Sequence, residues 1–351
     1  MLYTTRSCGG GGAIIQEGGS KNNGRHKGVI DNYVLLCDYH CAMRIVRGIK
    51  NFNERLPRPI LTLGNFDGVH LGHQAIFKKL IERAREISGT SIVFTFEPHP
   101  LKVLAPERSP RLLNTFHGKM KLLAEAGVEV VICASFTRAF AEQHPEDFAR
   151  DVLHTQLGVS EVYVGYDYAF GKGREGSIES LKVMGRSNGF DVGVVEAVKV
   201  NNIVVSSSVI RDLISGGRVE EAAGLLGRNY ILEGEVVHGA HRGRTLGFPT
   251  ANLHAANELL PGYGVYAVRT RLENRWVDGV ASIGIRPTFG AGPVSIEVFL
   301  FDFNGDLYGK HIDVSFLKQL RQEKKFSGVE ALVAQMHADV EEARKVLRCQ
   351  R

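Results

Sequence analysis

From Ile60 onwards, short runs rich in β-branched residues alternate with longer helical patterns, and this alternation constrains the fold most strongly. Parallel strands joined by crossover helices produce such a pattern. Between the first two strand candidates, Ile76, Leu80, Ala84 and Ile87 fall on one helical stripe. The strand candidates are ILTL, SIVFTF, VEVVICASF, VYVGYDY and DVGVVEAV. This half of the chain is predicted to form a Rossmann-like α/β sheet.

Beyond Arg228 the pattern changes to strands without intervening helices, separated by glycine-rich turns. ILEGEVV, GVYAVRT, WVDGVASI, SIEVFLFDF and HIDVSFL predict a small antiparallel β-barrel. A final helix should cover one side of this barrel through Val329, Leu332, Val333, Met336 and Val340. A chain of 351 residues accommodates two such domains. We place the boundary near Gly227, which gives modules of residues 43–227 and 228–351.

The first 42 residues differ from both modules. The glycine run Gly9–Gly12 and the polar stretch Glu17–Lys27 leave no apolar core for a secretory signal. Patterned sequence begins directly after Met43, with RIVRGIKNF. We therefore expect residues 1–42 to be an unstructured extension, or upstream sequence translated from a mis-assigned start. A regulatory tail is the alternative.

Composition narrows the class of partner. The formal charge of +5 is small and no long Lys/Arg block occurs, which favours anionic small molecules over nucleic acid. No apolar run approaches the roughly 20 residues that cross a bilayer, so we expect no membrane partner. The five cysteines form no CxxC pair, as is typical of a reduced, cytoplasmic protein. Nothing in the sequence indicates an oligomeric state.

The segment GNFDGVHLGH places Gly64, Gly68 and Gly72 between a predicted strand and a predicted helix. Open α/β sheets bind ligands at such strand ends, where a helix N-terminus offers N–H groups to phosphate oxygens. His70 and His73 can donate hydrogen bonds to a triphosphate and stabilise charge that develops at the α-phosphorus. The alternative is that both histidines are ordinary polar residues of a turn.

Two later segments of this module carry further candidates. In SSSVIR, Ser207, Ser208 and Arg211 can form a second phosphate clamp, although serines at a helix start are also common N-caps. In GYDYAFGKGREG, Asp167 is a candidate polar contact, with a turn-forming role as the alternative.

The second module contains HGAHRGRTLGFPTANL. Gly239, Gly243 and Gly247 predict a flexible loop whose Arg242 and Arg244 cover nucleotide phosphates. If the next segment is extended, Thr250 and Asn252 point the same way and offer oxygen ligands that suit Mg²⁺. A Gly/Pro-rich turn with an Asx-type hydrogen bond is the alternative.

Glu297 is a carboxylate within the otherwise apolar run SIEVFLFDF. A charged side chain there is costly if it is buried without a purpose, which makes Glu297 a catalytic candidate. The alternative is an edge strand on which Ser295 and Glu297 form a polar face towards water.

Taken together, these motifs resemble a known family. GxFDGxHxGH is typical of the HxGH nucleotidyltransferase superfamily, and its full form resembles the bacterial riboflavin kinase/FMN adenylyltransferase family. FTFEPHP resembles that family's FxPHP segment, with Glu97 where Asp is common. GYDYAFGKGREG and SSSVIR are similar to two more motifs, with Ala169 at an often basic position and Ser208 in place of Thr. GRTLGFPTAN, SIGIRPTFG and LRQEKKF resemble the kinase module.

The resemblance implies two reactions. The second module would phosphorylate riboflavin to FMN with ATP, using Glu297 as the general base and Mg²⁺ near Thr250 and Asn252. The first would join FMN to the AMP part of ATP, giving FAD and pyrophosphate without a covalent enzyme intermediate. Its catalytic candidates are His70, His73 and Arg211. Nucleotide contacts are expected from Gly64, Phe66, Asp67, Gly68, Gly72, Ser207, Ser208, Gly243, Arg244, Gly247, Thr250 and Asn252.

Flavin contacts are expected from Phe96, Pro98, Asp167 and Arg321, although LRQEKKF around Arg321 also fits a solvated charged helix. Two other functions stay open at this point. One is a different HxGH nucleotidyltransferase, and the other is a flavin-binding regulatory protein without catalysis.

Overall fold

The computed structural model describes residues 14–17, 32–36, 42–239, 246–273, 275–287 and 291–349. These residues form two compact units. One unit contains the described residues up to Pro110 together with Phe116–Val205, and the other contains Arg111–Thr115 and the residues from Ser206 onwards. Helices just before Gly227 thus group with the second unit.

Within the described residues, the first unit is built on an eight-stranded sheet. Its strands are β1 (Ile14–Glu17), β2 (Asn32–Leu36), β3 (Ala42–Arg47), β4 (Pro59–Leu63), β5 (Thr90–Glu97), β6 (Val130–Ser135), β7 (Glu161–Gly165) and β8 (Asp191–Val195). They lie in the order β1-β2-β3-β6-β5-β4-β7-β8. From β3 to β8 all neighbours are parallel, which confirms the Rossmann-like prediction.

Helices cover both faces of this sheet. They are α1 (Leu71–Glu86), α2 (Pro100–Leu104), α3 (Phe116–Glu125), α4 (Arg138–Ala141), α5 (Pro145–Asp147), a π-helix (Phe148–Gln156) and α6 (Ile178–Asn188). Short 3₁₀ turns occupy Ile49–Asn51, Pro106–Arg108 and Lys172–Arg174, and the small strands β9 (Lys199–Val200) and β10 (Ile203–Val204) form a hairpin. Alternate residues of each strand pack on opposite faces: Ile60 lies in one core and Leu61 in the other.

Strands β1 and β2 fall in the segment for which the sequence pattern predicts no structure. They extend the sheet antiparallel from β3, with Ile14 opposite Leu36 and Asn32 opposite Val46. An edge strand presents unpaired N–H and C=O groups, to which a short β-branched run can add.

The second unit contains a closed antiparallel barrel. Its strands are β11 (Tyr230–Val237), β12 (Thr250–Ala255), β13 (Gly264–Leu272), β14 (Arg275–Pro287), β15 (Ala291–Leu300) and β16 (His311–Arg321). They close in the order β11-β12-β15-β14-β13-β16, which confirms the barrel prediction. Helices α7 (Ser207–Ser215), α8 (Val219–Leu226) and α9 (Val329–Arg348) complete the unit.

Helix α9 covers the barrel as expected, but with a different part of its apolar stripe. Ala343 and Leu347 are buried against Ala267 and Leu317, and Val340 packs beside them. Val329, at the start of the helix, is 62% exposed, so its predicted contact is wrong. The packed face lies in the C-terminal half of the helix.

Candidate active sites

Three of the sequence motifs of the first unit lie at one edge of its sheet. Strand β4 lies between its parallel neighbours β5 and β7. Gly64 follows β4, the FTFEPHP segment ends β5, and the segment from Gly165 ends β7. The carboxyl ends of adjacent parallel strands form the usual ligand crevice of an open α/β sheet.

The turn after β4 has an unusual backbone. Phe66 has a φ of 49°, Gly68 of 88° and Val69 of 43°, so two residues with side chains adopt the left-handed region. Burial compensates for this strain, because Phe66 is 3% exposed and its ring lies 4.9 Å from that of Phe77. The hydrophobic anchor and the glycine together define the shape of the predicted nucleotide-binding turn.

His70 and His73 lie together at the start of α1. His70 is the N-cap of the helix, and its Nδ1 accepts a hydrogen bond from the backbone N–H of His73 at 3.4 Å. The two rings stack with their centroids 3.6 Å apart. In a neutral imidazole whose Nδ1 accepts a hydrogen bond, the ring proton is on Nε2. A Cβ at Gly72 would lie 3.2 Å from the His70 ring, so the glycine makes room for it.

Phe96 belongs to an aromatic cluster at the ends of β5 and β6. Its ring lies 5.4 Å from that of Phe136 and 5.7 Å from that of Phe140, both edge-on. Such a cluster suits a planar apolar ligand better than a single ring does. Pro98 follows a cis peptide bond after Glu97. Phe136 and Phe140 were not predicted from the sequence, because Phe136 follows β6 and Phe140 lies on α4, apart from Phe96 in the chain.

The Asp167 side chain is exposed after β7. The backbone N–H of Tyr168 donates to the Gly165 carbonyl at 3.1 Å, which closes a turn around Asp167. The turn-forming alternative therefore describes the backbone there correctly, and an exposed carboxylate at a strand end remains available as a polar contact.

Lys119 of α3 was not among the residues predicted from the sequence. This lysine is 8% exposed, and its Nζ donates to the carbonyl oxygen of Asn65 at 3.3 Å and to Oγ1 of Thr95 at 3.2 Å. Its burial could have been inferred from the sequence, because position 119 lies three residues after Phe116 and four before Leu123, on the apolar stripe of the helix.

The SSSVIR motif opens α7 in the second unit. The N-cap is Ser206, whose hydroxyl accepts from the N–H of Val209 at 3.4 Å. Capping therefore does not account for Ser207 and Ser208, which form the first turn of the helix. The Nε of Arg211 donates to the Arg111 carbonyl at 3.0 Å, so this guanidinium has a defined position.

In the barrel, Glu297 lies in the middle of a three-strand set. It is directly opposite Asn252 on β12 and Ser282 on β14. Because β15 is paired on both sides, the edge-strand alternative for Glu297 is wrong. Directly opposed residues share a face of a sheet, so Asn252, Ser282 and Glu297 lie on one face, away from the buried Val298.

Thr250 lies on the same face of β12 as Asn252. Its Oγ1 donates to Oε2 of Glu297 at 3.4 Å. The extended strand required by the sequence prediction is present, and the alternative of a turn at Thr250–Asn252 is wrong. Gly239 closes over this set, since a Cβ there would overlap the amide group of Asn252.

An apolar wall lies beside this polar set. The Phe248 ring lies 5.3 Å from that of Phe299 and 4.9 Å from that of His337 on α9. Thr250 is opposite Phe299 in the strand register, which places the wall next to the hydroxyl and carboxylate. The arrangement can exclude water from a reacting group on one side.

Arg321 ends β16 as an extended residue, so the alternative of a charged helix there is wrong. Its guanidinium forms a bidentate pair with Asp339 of α9, at 2.9 Å from Nε to Oδ1 and 2.8 Å from Nη2 to Oδ2. The Asp339 carboxylate also accepts from Gln335 at 2.9 Å. Arg321 therefore joins the barrel to its helix.

The predicted phosphate-covering loop is only partly visible. Gly243 and Arg244, like Arg242, lie outside the described residues, whereas Gly247 is a turn residue with a φ of 85°. In the part of the chain that the structure describes, no group of three or more His, Cys, Asp or Glu side chains is arranged to hold a metal. Nor does any described helix have the length and apolar character of a membrane span.

Comparisons with known proteins match both parts of the chain to families. The family model described as FAD synthetase matches residues 53–209, and that described as riboflavin kinase matches residues 226–347. The bifunctional riboflavin kinase/FMN adenylyltransferase of Escherichia coli strain K12 is 38% identical over 86% of this chain and 97% of its own length. The chain belongs to this family. It is accordingly a transferase of FAD biosynthesis.

Two further relatives extend the comparison. The bifunctional riboflavin kinase/FMN adenylyltransferase of Haemophilus influenzae is 37% identical over 86% of this chain and 98% of its own length. A solved structure described as a macrolide-efflux protein from Streptococcus pneumoniae has a TM-score of 0.78 and 31% identity, over 86% of this chain and 98% of that one. Matches to both family models favour the bifunctional enzyme over a different nucleotidyltransferase or a non-catalytic flavin binder.

Proposed function

We propose that Glu297 is the general base of the riboflavin kinase reaction. The single observation that supports this role is the hydrogen bond from Thr250 to Glu297, which brings the carboxylate to the hydroxyl and amide of the PTAN motif. The Glu297 carboxylate takes the proton of the ribityl hydroxyl as its oxygen attacks the γ-phosphorus of ATP. The bond to the β-phosphate bridging oxygen breaks, and ADP leaves.

The oxygen atoms of this site fit Mg²⁺. Thr250 and Asn252 offer a hydroxyl and an amide oxygen on one face, and both are hard ligands. Few protein ligands are needed, because Mg²⁺ bound to nucleotides is held mainly by phosphates and water. When bound, the ion would neutralise charge on the transferring phosphoryl group. Gly243, Arg244 and Gly247 are the proposed contacts to the nucleotide phosphates.

For the adenylyltransferase reaction, the nucleotide would bind at the turn from Gly64 to His73. The FMN phosphate attacks the α-phosphorus of ATP directly and pyrophosphate leaves, so no covalent enzyme intermediate forms. His70 and His73 stabilise the charge on the transferring group, and Phe66, Asp67, Gly68 and Gly72 shape the turn. Ser207, Ser208 and Arg211 are proposed phosphate contacts on the basis of their sequence motif alone.

The flavin of this reaction would lie against Phe96 and Pro98, with Asp167 as a polar contact. The rings of Phe136 and Phe140 extend that surface. For the kinase, Arg321 is the proposed flavin contact, oriented by Asp339. We assign residues 43–227 to adenylyl transfer and 228–351 to the kinase, in a protein that works in the cytoplasm, where ATP is supplied.

Chromatography of a mixture of the protein with riboflavin, ATP and Mg²⁺ tests the proposal. We expect FMN first and FAD later. Glu297→Gln should abolish FMN formation while FAD is still made from supplied FMN. Asp278→Asn is a matched control, because this carboxylate is on β14 of the same barrel and pairs with Arg269. Loss of both activities in folded Glu297→Gln protein would contradict the division into two sites.

A further inference from the structure

The buried side chain of Lys119 lies against the turn that carries the HxGH motif. Thr95 is fully buried and Lys119 is 8% exposed. The Nζ of Lys119 donates to the Asn65 carbonyl at 3.3 Å and to Oγ1 of Thr95 at 3.2 Å. Thr95 in turn donates to the same Asn65 carbonyl at 3.3 Å. One peptide oxygen of the turn is thus held by two donors from two different elements.

These contacts fix the part of the turn where the backbone is most strained. Asn65 directly precedes Phe66, which has a φ of 49°, and Val69 has a φ of 43°. Such conformations persist only where surrounding groups determine them. A carbonyl oxygen held towards an ammonium inside the protein cannot turn towards the phosphates of a ligand. The following N–H groups are thereby kept in a defined orientation.

The groups around Lys119 act on its charge in opposite directions. Burial lowers the pKa of Lys119 below its ordinary value, and the neighbouring Cys133, Glu97 and Asp67 offset this only in part. Asp67 is itself only 7% exposed. Carboxylates near a buried ammonium favour its charged form, in which it donates to the Asn65 carbonyl.

We propose that Lys119 is a positioning residue for adenylyl transfer, which holds the Asn65 carbonyl so that the HxGH turn accepts a polyphosphate. This inference rests on the proposed function of that turn. The role differs from ordinary core packing, because a methionine would fill the same space without donating a hydrogen bond or carrying charge. It also differs from catalysis, because Lys119 acts through the turn.

Lys119→Met is the first test, with Lys79→Met as its matched control because Lys79 is exposed on α1 of the same unit. For Lys119→Met, kcat for FAD formation from FMN should fall about 10- to 100-fold, because a small displacement of the groups that position the reactants lowers the rate by this order. Riboflavin kinase activity of the same sample should stay at the wild-type rate. Lys119→Arg, which keeps the charge, should recover part of the loss.

Hydrogen exchange gives a readout that does not depend on activity. Backbone amides of Gly64–His73 should exchange faster in Lys119→Met than in Lys79→Met, without ligand present. Unchanged exchange together with an unchanged rate of FAD formation would overturn the inference, and so would a lowered Tm with unchanged kcat. Wild-type protein that makes no FAD would instead contradict the proposed function, while the exchange comparison would still test the positioning role.

Thr95→Val covers the case in which Lys119→Met does not fold. It removes one acceptor of Lys119 and one donor to Asn65 with almost no change of shape. Faster exchange of the turn and slower FAD formation are expected. If the exchange rate and the rate of FAD formation of Thr95→Val both equal those of the wild type, the inference is wrong.

Discussion

The hydroxyl of Thr250 donates a hydrogen bond to the carboxylate of Glu297 at 3.4 Å, across two neighbouring strands of the barrel. Thr250→Val should lower riboflavin kinase kcat by about 10- to 100-fold, because the carboxylate loses its orienting donor and the site loses an oxygen ligand. Thr250→Ser keeps the hydroxyl and should retain most of the activity. Steady-state rates with varied Mg-ATP would measure both. Equal rates for Val and Ser would show that the hydroxyl has no role.

His70 and His73 should act on adenylyl transfer alone. Alanine at either position is expected to lower FAD formation by about 100- to 1000-fold, the usual loss when a group that stabilises transition-state charge is removed. His70→Ala should also cost about 1 kcal/mol of stability through the lost N-cap, which His70→Asn should restore without restoring activity. His154→Ala is the control, since this histidine is exposed on the π-helix. Unchanged FAD formation in both alanine variants would exclude the proposed charge stabilisation.

Gly239→Ala should inactivate the kinase without affecting adenylyl transfer. A Cβ at this position overlaps the Asn252 amide, so the amide must move away from Glu297. We expect a loss of about 10- to 100-fold in kcat/KM for Mg-ATP. Gly224→Ala in α8 is the matched control: a Cβ there meets nothing within 4 Å, and stability should rise by roughly 0.5–1 kcal/mol. Full kinase activity of Gly239→Ala would mean that Asn252 is not needed where the structure places it.

Cys133 should stay unreactive until alkaline pH. Burial raises the pKa of this thiol from its ordinary 9.0 to about 11, against the opposing effect of Lys119. Since the folded pKa is the higher one, the thiol contributes its full stabilisation below pH 9 and loses it as the pH rises through about 11. Alkylation at pH 8 followed by peptide mapping should modify the exposed Cys349 and leave Cys133 intact. Equal modification of the two cysteines in folded protein would contradict this burial.

Local pattern was sufficient for much of the architecture. The β-branched runs predict the parallel sheet, and the stripe through Ile76, Leu80 and Ala84 predicts α1. Both predictions succeed because each pattern is formed by residues that are close together in the chain. The π-helix and strand β12 are harder to predict from local sequence pattern. Strand β12 begins directly after the Gly/Pro-rich turn before Thr250, and β15, one of its two pairing partners, lies far along the chain. Propensity near a turn carries no information about that partner.

The same distinction applies to the sites. Motif spacing identifies His70 and His73, which are neighbours on one helix turn. It leaves open whether Glu297 lies at an edge, because the answer depends on strand order in the closed barrel. Lys119 was missed for a related reason: its two acceptors, Asn65 and Thr95, come from other elements.

The register between β12 and β15 also restricts how this kinase module can vary in length. Thr250, Asn252 and Glu297 share a face only while their strands keep the same alternation. Deleting one residue within β12 would turn Asn252 towards the barrel interior, whereas the loops at either end of the strand can lengthen without changing that parity. Viable natural variants should therefore gain or lose residues in the loops that flank β12 but keep the spacing from Thr250 to Asn252.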